Sequence, residues 1–153
     1  MSMQILVFQL AEAAAALPTT AIRQVLPLLQ LTRFPAAPAG VAGLMNLHGA
    51  AIPVVDVTAM SGGPAARARQ DTRILLVDFT LPEGDSRPLG LVVEGVAGVR
   101  RVTARAPRPA GVRLPDYPWL GEVLETPEGL WLWLEPDRLL SPTLAALLFQ
   151  EAA

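Results

Sequence analysis

Residues 35–49 read Pro35-Ala36-Ala37-Pro38-Ala39-Gly40-Val41-Ala42-Gly43-Leu44-Met45-Asn46-Leu47-His48-Gly49, and beyond Ala50 the chain continues Ala51-Ile52-Pro53-Val54-Val55-Asp56. No Asp, Glu, Lys or Arg occurs from Phe34 to Val55, a run long enough to cross a bilayer. Pro35, Pro38 and Pro53, the interspersed glycines, Asn46 and His48 argue against a membrane helix. The stretch reads instead as a loop followed by two core strands.

The same grain extends in both directions. Short apolar runs broken by Pro and Gly recur, while helix-period stretches of a dozen residues are nearly absent, which is the pattern of a barrel or sandwich. The expected strands are Gln4 to Leu10, Ile22 to Gln30, Ala50 to Val57, Arg73 to Thr80, Leu89 to Glu94, Val96 to Thr103, Leu120 to Glu125 and Leu130 to Glu135. Thr126-Pro127-Glu128-Gly129 supplies the last turn. Ser61 to Gln70 and the proline-rich Ala104 to Pro118 read as long surface loops. At the C-terminus Ser141 can cap and Pro142 can open a helix over 141–150 with Leu144, Leu147 and Leu148 on one face. Gly43 and Gly49 flank one strand pair and Gly121 and Gly129 another, a faint repeat that two similar barrels would explain.

Composition narrows the function. The chain has 153 residues, 52% hydrophobic and 17% charged, enough for one domain with a substantial core and with apolar surface to spare for a partner. All twelve cations are arginines spread from Arg23 to Arg138, and the net charge is -2, so neither nucleic acid nor anionic lipid meets a concentrated positive face. Without cysteine there is no disulfide framework and no thiolate metal or redox site, in keeping with a reducing compartment. The apolar start, Ile5 to Leu17, lacks a preceding Lys or Arg and is interrupted by Glu12, so it reads as a buried strand rather than a signal peptide.

Catalytic chemistry is thin. His48 is the only histidine; a Ser61–His48–Asp56 triad can be drawn, but no strained nucleophile turn or oxyanion loop accompanies it. Ala39 to Gly43 and Glu94 to Gly98 lack a P-loop lysine and a following helix, so they read as turns. Glu122, Glu125 and Glu128 point to different faces of a strand, and no metal or cofactor is expected. The chain reads as a non-enzyme.

The stretch Pro35 to Gly49 with Ala51 to Asp56 resembles the central signature of the CheW family: a Pro, a Gly-hydrophobic pair, Asn-Leu-Arg-Gly, then a strand ending Pro-hydrophobic-hydrophobic-Asp-Leu. Val7-Phe8-Gln9-Leu10 resembles the family's opening strand, Ile22-Arg23-Gln24-Val25 the segment before its first loop, Gly90 to Val96 its Gly-hydrophobic-hydrophobic-Val-Asp-x-Val, and Leu134 to Leu140 its closing Leu-Leu. The likeness spans Gln4 to Leu140. It implies an all-β fold of two SH3-like five-stranded barrel subdomains sharing a core, their boundary near 58–72, within a single domain over 1–153.

It also implies a non-catalytic, cytoplasmic adaptor in receptor arrays at the inner membrane face, without membrane insertion of its own. Its partners would be a chemoreceptor's cytoplasmic tip, held in a groove between the barrels, and the regulatory domain of a CheA-type histidine kinase on another face. A CheW-like scaffold of a pilus or developmental pathway, or a small-molecule-binding barrel, are the alternatives. For the groove, Ile22, Val25 and Ile74 are the apolar candidates, Gln24, His48 and Arg73 the polar ones, and Gly43 a site of close approach. Each also has a plain structural role: core for the apolar three, an edge charge for Arg73, a turn for Gly43. Trp131 and Trp133 share one face of their strand and belong either to a second core or to an aromatic patch, with core favoured for residues so large.

Two residues depart from the family pattern. His48 stands for an arginine and Gln24 for an acidic residue, so a neutral His–Gln hydrogen bond could replace a salt bridge if the two face one another. Glu94 for the family's Asp keeps the charge.

Overall fold

A computed structural model describes residues 2–149. Ten strands build it: β1 (Ser2–Leu10), β2 (Ala13–Pro18), β3 (Ile22–Pro27), β4 (Val41–Leu47), β5 (Ala50–Asp56), β6 (Arg73–Thr80), β7 (Ser86–Thr103), β8 (Arg108–Pro109), β9 (Glu122–Thr126) and β10 (Gly129–Trp133). Two short helices join them, α1 (Val57–Met60) and α2 (Pro142–Leu148). The first barrel runs β3-β6-β7-β5-β4 and is closed by the bridge between Thr32, beyond β3, and Leu44 of β4. The second runs β7-β1-β2-β10-β9, with β8 on the outer edge of β9. The fold is all-β with two barrel subdomains.

Strand β7, 18 residues long, belongs to both barrels. Its first half pairs with β5 and β6, and its second half, from Glu94, pairs with β1. The expected separate strands, Leu89 to Glu94 and Val96 to Thr103, are thus one strand bent between barrels. The bend is at Gly95, whose φ of +60° is left-handed and whose missing Cβ leaves room for the Gln9 side chain.

Alternation then sorts every long apolar run between two cores. On β6, Ile74 and Leu76 point into the first barrel, while Leu75, Val77 and Phe79 point into the core shared between the barrels. On β1, Ile5 and Val7 enter the second barrel, while Leu6, Phe8 and Leu10 join the shared core. Strands buried on both faces need continuous apolar sequence, and this consumes much of the 52% hydrophobic content. Trp131 and Trp133 are both buried in the second barrel, the core role favoured for them.

Several expected boundaries move. Ile5 to Leu17 is a hairpin, β1 and β2, rather than one strand; it turns at Ala11-Glu12 between paired Leu10 and Ala13. Residues 58–72 do not divide the barrels, because β5 before them and β6 after them both belong to the first; the chain changes barrel between β2 and β3 and again within β7. Strand β3 stops at Pro27 instead of Gln30, and Val57 starts α1 rather than ending β5. The C-terminal helix is present with Ser141 as cap, its hydroxyl oxygen accepting from the Leu144 N–H at 3.1 Å. The expected final residue, Gln150, lies outside the described residues. Phe149 stacks on Phe79, centroids 5.7 Å apart, docking the helix end on the shared core.

Candidate interaction surface

The sequence candidates fall into two groups around the seam that closes the first barrel. Ile22, Gln24, Val25, Arg73 and Ile74 lie on the antiparallel pair β3–β6, whereas Gly43 and His48 lie on the β4–β5 hairpin. A bulge between Ile22 and Gln24 breaks the alternation of β3, so Arg23, Gln24 and Val25 are all exposed in succession. Val25 is 45% exposed and Leu28, just beyond the strand, 37%, giving an apolar surface bordered by Gln24 and by the Arg23–Asp78 ion pair at 3.2 Å. Ile22 is half-buried against the shared core.

Ile74 is 0% exposed, so its side chain supports this surface from inside the barrel and presents nothing to a partner. Gly43 is buried at a bulge of β4 with φ +142°. A Cβ there would overlap the Thr32 carbonyl oxygen, so the close approach it permits is that of the chain's own segment 32–33. Arg73 is only half-exposed and is no free edge charge: its guanidinium donates to the carbonyls of Gln70 and of Thr72, the latter at 3.0 Å.

His48 and Gly49 form a two-residue hairpin turn with φ of +52° and +87°, the twist that suits an antiparallel pair. Asn46 Oδ1 accepts from the Gly49 N–H at 3.0 Å and braces the turn. The His48 side chain is exposed, and among the described residues it makes no hydrogen bond to Gln24. The expected neutral pair is therefore not formed within the chain.

The segment between α1 and β6 is held by Asp56 and Glu94, which the sequence reading named for other reasons, and by Thr72, which it passed over. Asp56, 7% exposed, caps α1 through Oδ1, which accepts from the Ala59 N–H at 3.1 Å, and its Oδ2 accepts from the Ala66 N–H at 2.7 Å. Glu94 accepts from the Arg67 N–H at 2.8 Å. Thr72, 1% exposed, donates to the Arg67 carbonyl at 2.5 Å and accepts from the Arg69 N–H at 3.2 Å. Ala66 packs against the first-barrel core. What looked like a loose loop is a strap held by side chains, a pattern with no local sequence signal except the aspartate that ends the signature strand.

Among the described residues the Ser61–His48–Asp56 triad is not assembled. Asp56 is committed to backbone donors, Ser61 Oγ donates to the Thr58 carbonyl at 2.6 Å, and His48 sits at the far end of β5, about 20 Å away at ~3.3 Å per residue. Glu122, Glu125 and Glu128 each pair with a different arginine, respectively Arg138, Arg108 and Arg100. Among the described residues no three His, Cys, Asp or Glu side chains gather as metal ligands, and no helix is long and apolar enough to cross a membrane.

The family described as "CheW-like domain" matches residues 4–143. The chain belongs to the CheW-like family. It is 29% identical over 114 residues to "Chemotaxis protein CheW" of Rhizobium meliloti (strain 1021), an alignment covering 74% of this chain and 70% of that one. To "Chemotaxis protein CheW" of Klebsiella aerogenes it is 25% identical over 107 residues, covering 70% and 61%. The crystal structure of scaffolding protein TtCheW from Thermoanaerobacter tengcongensis superposes with a TM-score of 0.76 at 25% identity, over 92% of this chain and 89% of that one. The CheW-like likeness thus includes both barrels and not the signature stretch alone.

Proposed function

We propose that this protein is a chemosensory adaptor: it couples the cytoplasmic tips of chemoreceptors to a CheA-type histidine kinase, at the cytoplasmic face of the membrane, and catalyses nothing. The observation that carries the reading is the match of both barrels to a scaffolding protein across nine-tenths of the chain. The chemistry agrees with it. An adaptor works by holding two partners in fixed geometry, which asks for a rigid framework and exposed contact residues rather than a nucleophile or a metal.

Val25 and Leu28, with Gln24 beside Val25 on the chain, offer a small apolar surface of the kind a helical hairpin covers. The exposed His48 side chain projects from its turn where the family pattern has arginine. Gly43, Ile74 and Arg73 contribute by shaping that surface.

Reconstitution tests the proposal. Kinase output should rise as the protein is added to a receptor and a kinase, and the protein alone should neither hydrolyse nor transfer phosphate. Output that stays flat across adaptor concentrations with a receptor that binds it overturns the coupling role. Retention of pilus or developmental components in place of chemoreceptor tips would redirect the scaffold to another pathway.

A further inference from the structure

We infer that the strap between α1 and β6 is a latch on the joint between the barrels: it holds the bend of β7 on both sides of Gly95 and releases as one unit. The bend is where β7 runs short of neighbours. Its pairing with β5 ends at Val92 and with β6 at Val93, and its pairing with β1 jumps from Glu94 to Gly98. Among the described residues, Gly95, Val96 and Ala97 thus have no strand partner in register.

The strap supplies what the ladder lacks there. The Val96 N–H donates to the Asp71 carbonyl at 3.0 Å, and the Glu94 carboxylate accepts from the Arg67 N–H at 2.8 Å. One bond therefore lies on each side of a glycine with φ of +60°, the residue type with the widest backbone freedom. Val96 also packs against the shared core, so the bond it makes to the strap borders the contact that joins the barrels.

The strap's own bonds make it a single piece. Thr72 Oγ1 donates to the Arg67 carbonyl and accepts from the Arg69 N–H, and the Thr72 N–H donates to the Arg69 carbonyl at 3.1 Å. Asp56 fastens the same piece at Ala66, from the end of β5. From Ser61 to Asp71 no residue is buried, and Ala66 supplies the contact with the first-barrel core. Segments with few buried apolar contacts and with hydrogen bonds near solvent open well below the free energy of global unfolding, as cooperative units. Loss of the Asp56 anchor should therefore be felt at Val96, although the two residues share no bond. A scaffold holds its partners at an angle set by the joint between its parts, so the latch is where that geometry is switched; this consequence rests on the adaptor reading, whereas the latch itself does not.

The test uses the full chain without partners. Asp56→Ser keeps an oxygen to cap α1 and breaks the bond to Ala66, and Glu94→Gln weakens the bond to Arg67 from the other side. The chain contains no cysteine, so Ser86→Cys and Thr103→Cys place nitroxide labels at the two ends of β7 and nowhere else. In either variant, amide exchange should accelerate about tenfold or more at Ala66, Arg67, Arg69 and Val96, by a common factor, while amides paired between β1 and β2 keep their rates. The distance between the labels, measured by electron paramagnetic resonance, should spread over a wider range than in the wild-type background. Urea unfolding verifies that each variant folds, and two variants keep the test intact if one does not. Acceleration that is absent, or confined to the amide whose own bond was cut, overturns the inference. So does uniform acceleration across both barrels, which means that the strap opens only with the whole fold, and so does a label distance as narrow as wild type once the four amides exchange faster.

Discussion

Asp56 is where the family signature and the architecture can be separated by measurement. Its carboxylate makes two distinct bonds, Oδ1 to the Ala59 N–H as the cap of α1 and Oδ2 to the Ala66 N–H of the strap. Asp56→Ser retains a capping oxygen but is too short to reach Ala66; Asp56→Ala removes both. At 7% exposure solvent screens little, so a bond between a charged acceptor and a backbone donor is worth about 1.5–3 kcal/mol. The cap adds about 1 kcal/mol. Asp56→Ser should therefore cost about 1.5–3 kcal/mol and Asp56→Ala about 2.5–4 kcal/mol, large against the ~5–15 kcal/mol that holds a domain together.

Urea unfolding followed by tryptophan fluorescence reads this directly, since Trp119, Trp131 and Trp133 are all buried. With a denaturant slope near ~2 kcal/mol per molar, Asp56→Ala should lower the midpoint by roughly 1–2 M. Amide exchange should accelerate at Ala66 in both variants and at Ala59 only in the alanine. A serine variant as stable as wild type would show that the strap bond contributes nothing, and equal serine and alanine variants would show the same of the cap. The first result refutes the assignment of Asp56 as the residue that joins signature strand to strap; the second refutes its role as the cap of α1.

Other substitutions should separate support from contact. Ile74→Ala should cost about 2–5 kcal/mol in a urea melt, as buried aliphatic truncations do, whereas Val25→Ala should leave stability within about 0.5 kcal/mol and weaken partner binding in calorimetry. Gly43→Ala should lose about 2–4 kcal/mol through positive φ and collision with Thr32, and amide exchange should show Thr32 and Leu44 unpairing. Ala11→Gly should raise stability by about 0.5–1 kcal/mol, because Ala11 holds a φ of +54° that glycine adopts without strain; a lower melting temperature would contradict this.

How much of this was legible in the sequence depended on whether a pattern was local. Arg73 to Thr80 is a strand in both reading and structure, because a short apolar run with the strand-favouring Ile74, Val77, Phe79 and Thr80 lies between loop signals. The hairpin of β1 and β2 was not visible: Ala13 to Ala16 has low strand propensity, and the turn at Ala11-Glu12 lacks the Asn-Gly or Gly that announces such turns. Gly95 looked like a chain reversal because a glycine that bends a strand and one that ends it carry the same letter. Whether a long apolar run faces one core or two is likewise absent from its composition. Ile74 could therefore be drawn at a groove although β6 buries both faces, and the strap's bonds, spanning 10 and 27 residues, leave no periodic trace.

The signature stretch can now be divided by what each residue answers to. Gly43 answers to Thr32, Asn46 to the turn it braces, Gly49 to its positive φ, and Asp56 to the strap; all four are bound by the chain's own geometry. His48 is different. Its backbone must hold φ near +52°, which histidine tolerates better than most residues, but its side chain is exposed and bonded to nothing within the described residues. Any long polar side chain could occupy the turn without disturbing the barrel. The replacement of the family's arginine by histidine therefore costs the fold little, and on the adaptor proposal its consequence is in what a partner meets at that turn. The same division leaves Gln24 and Val25 on β3 exposed beside the signature and, His48 apart, puts fold-making within it, so most of the motif that identifies the family is committed to the chain's own geometry.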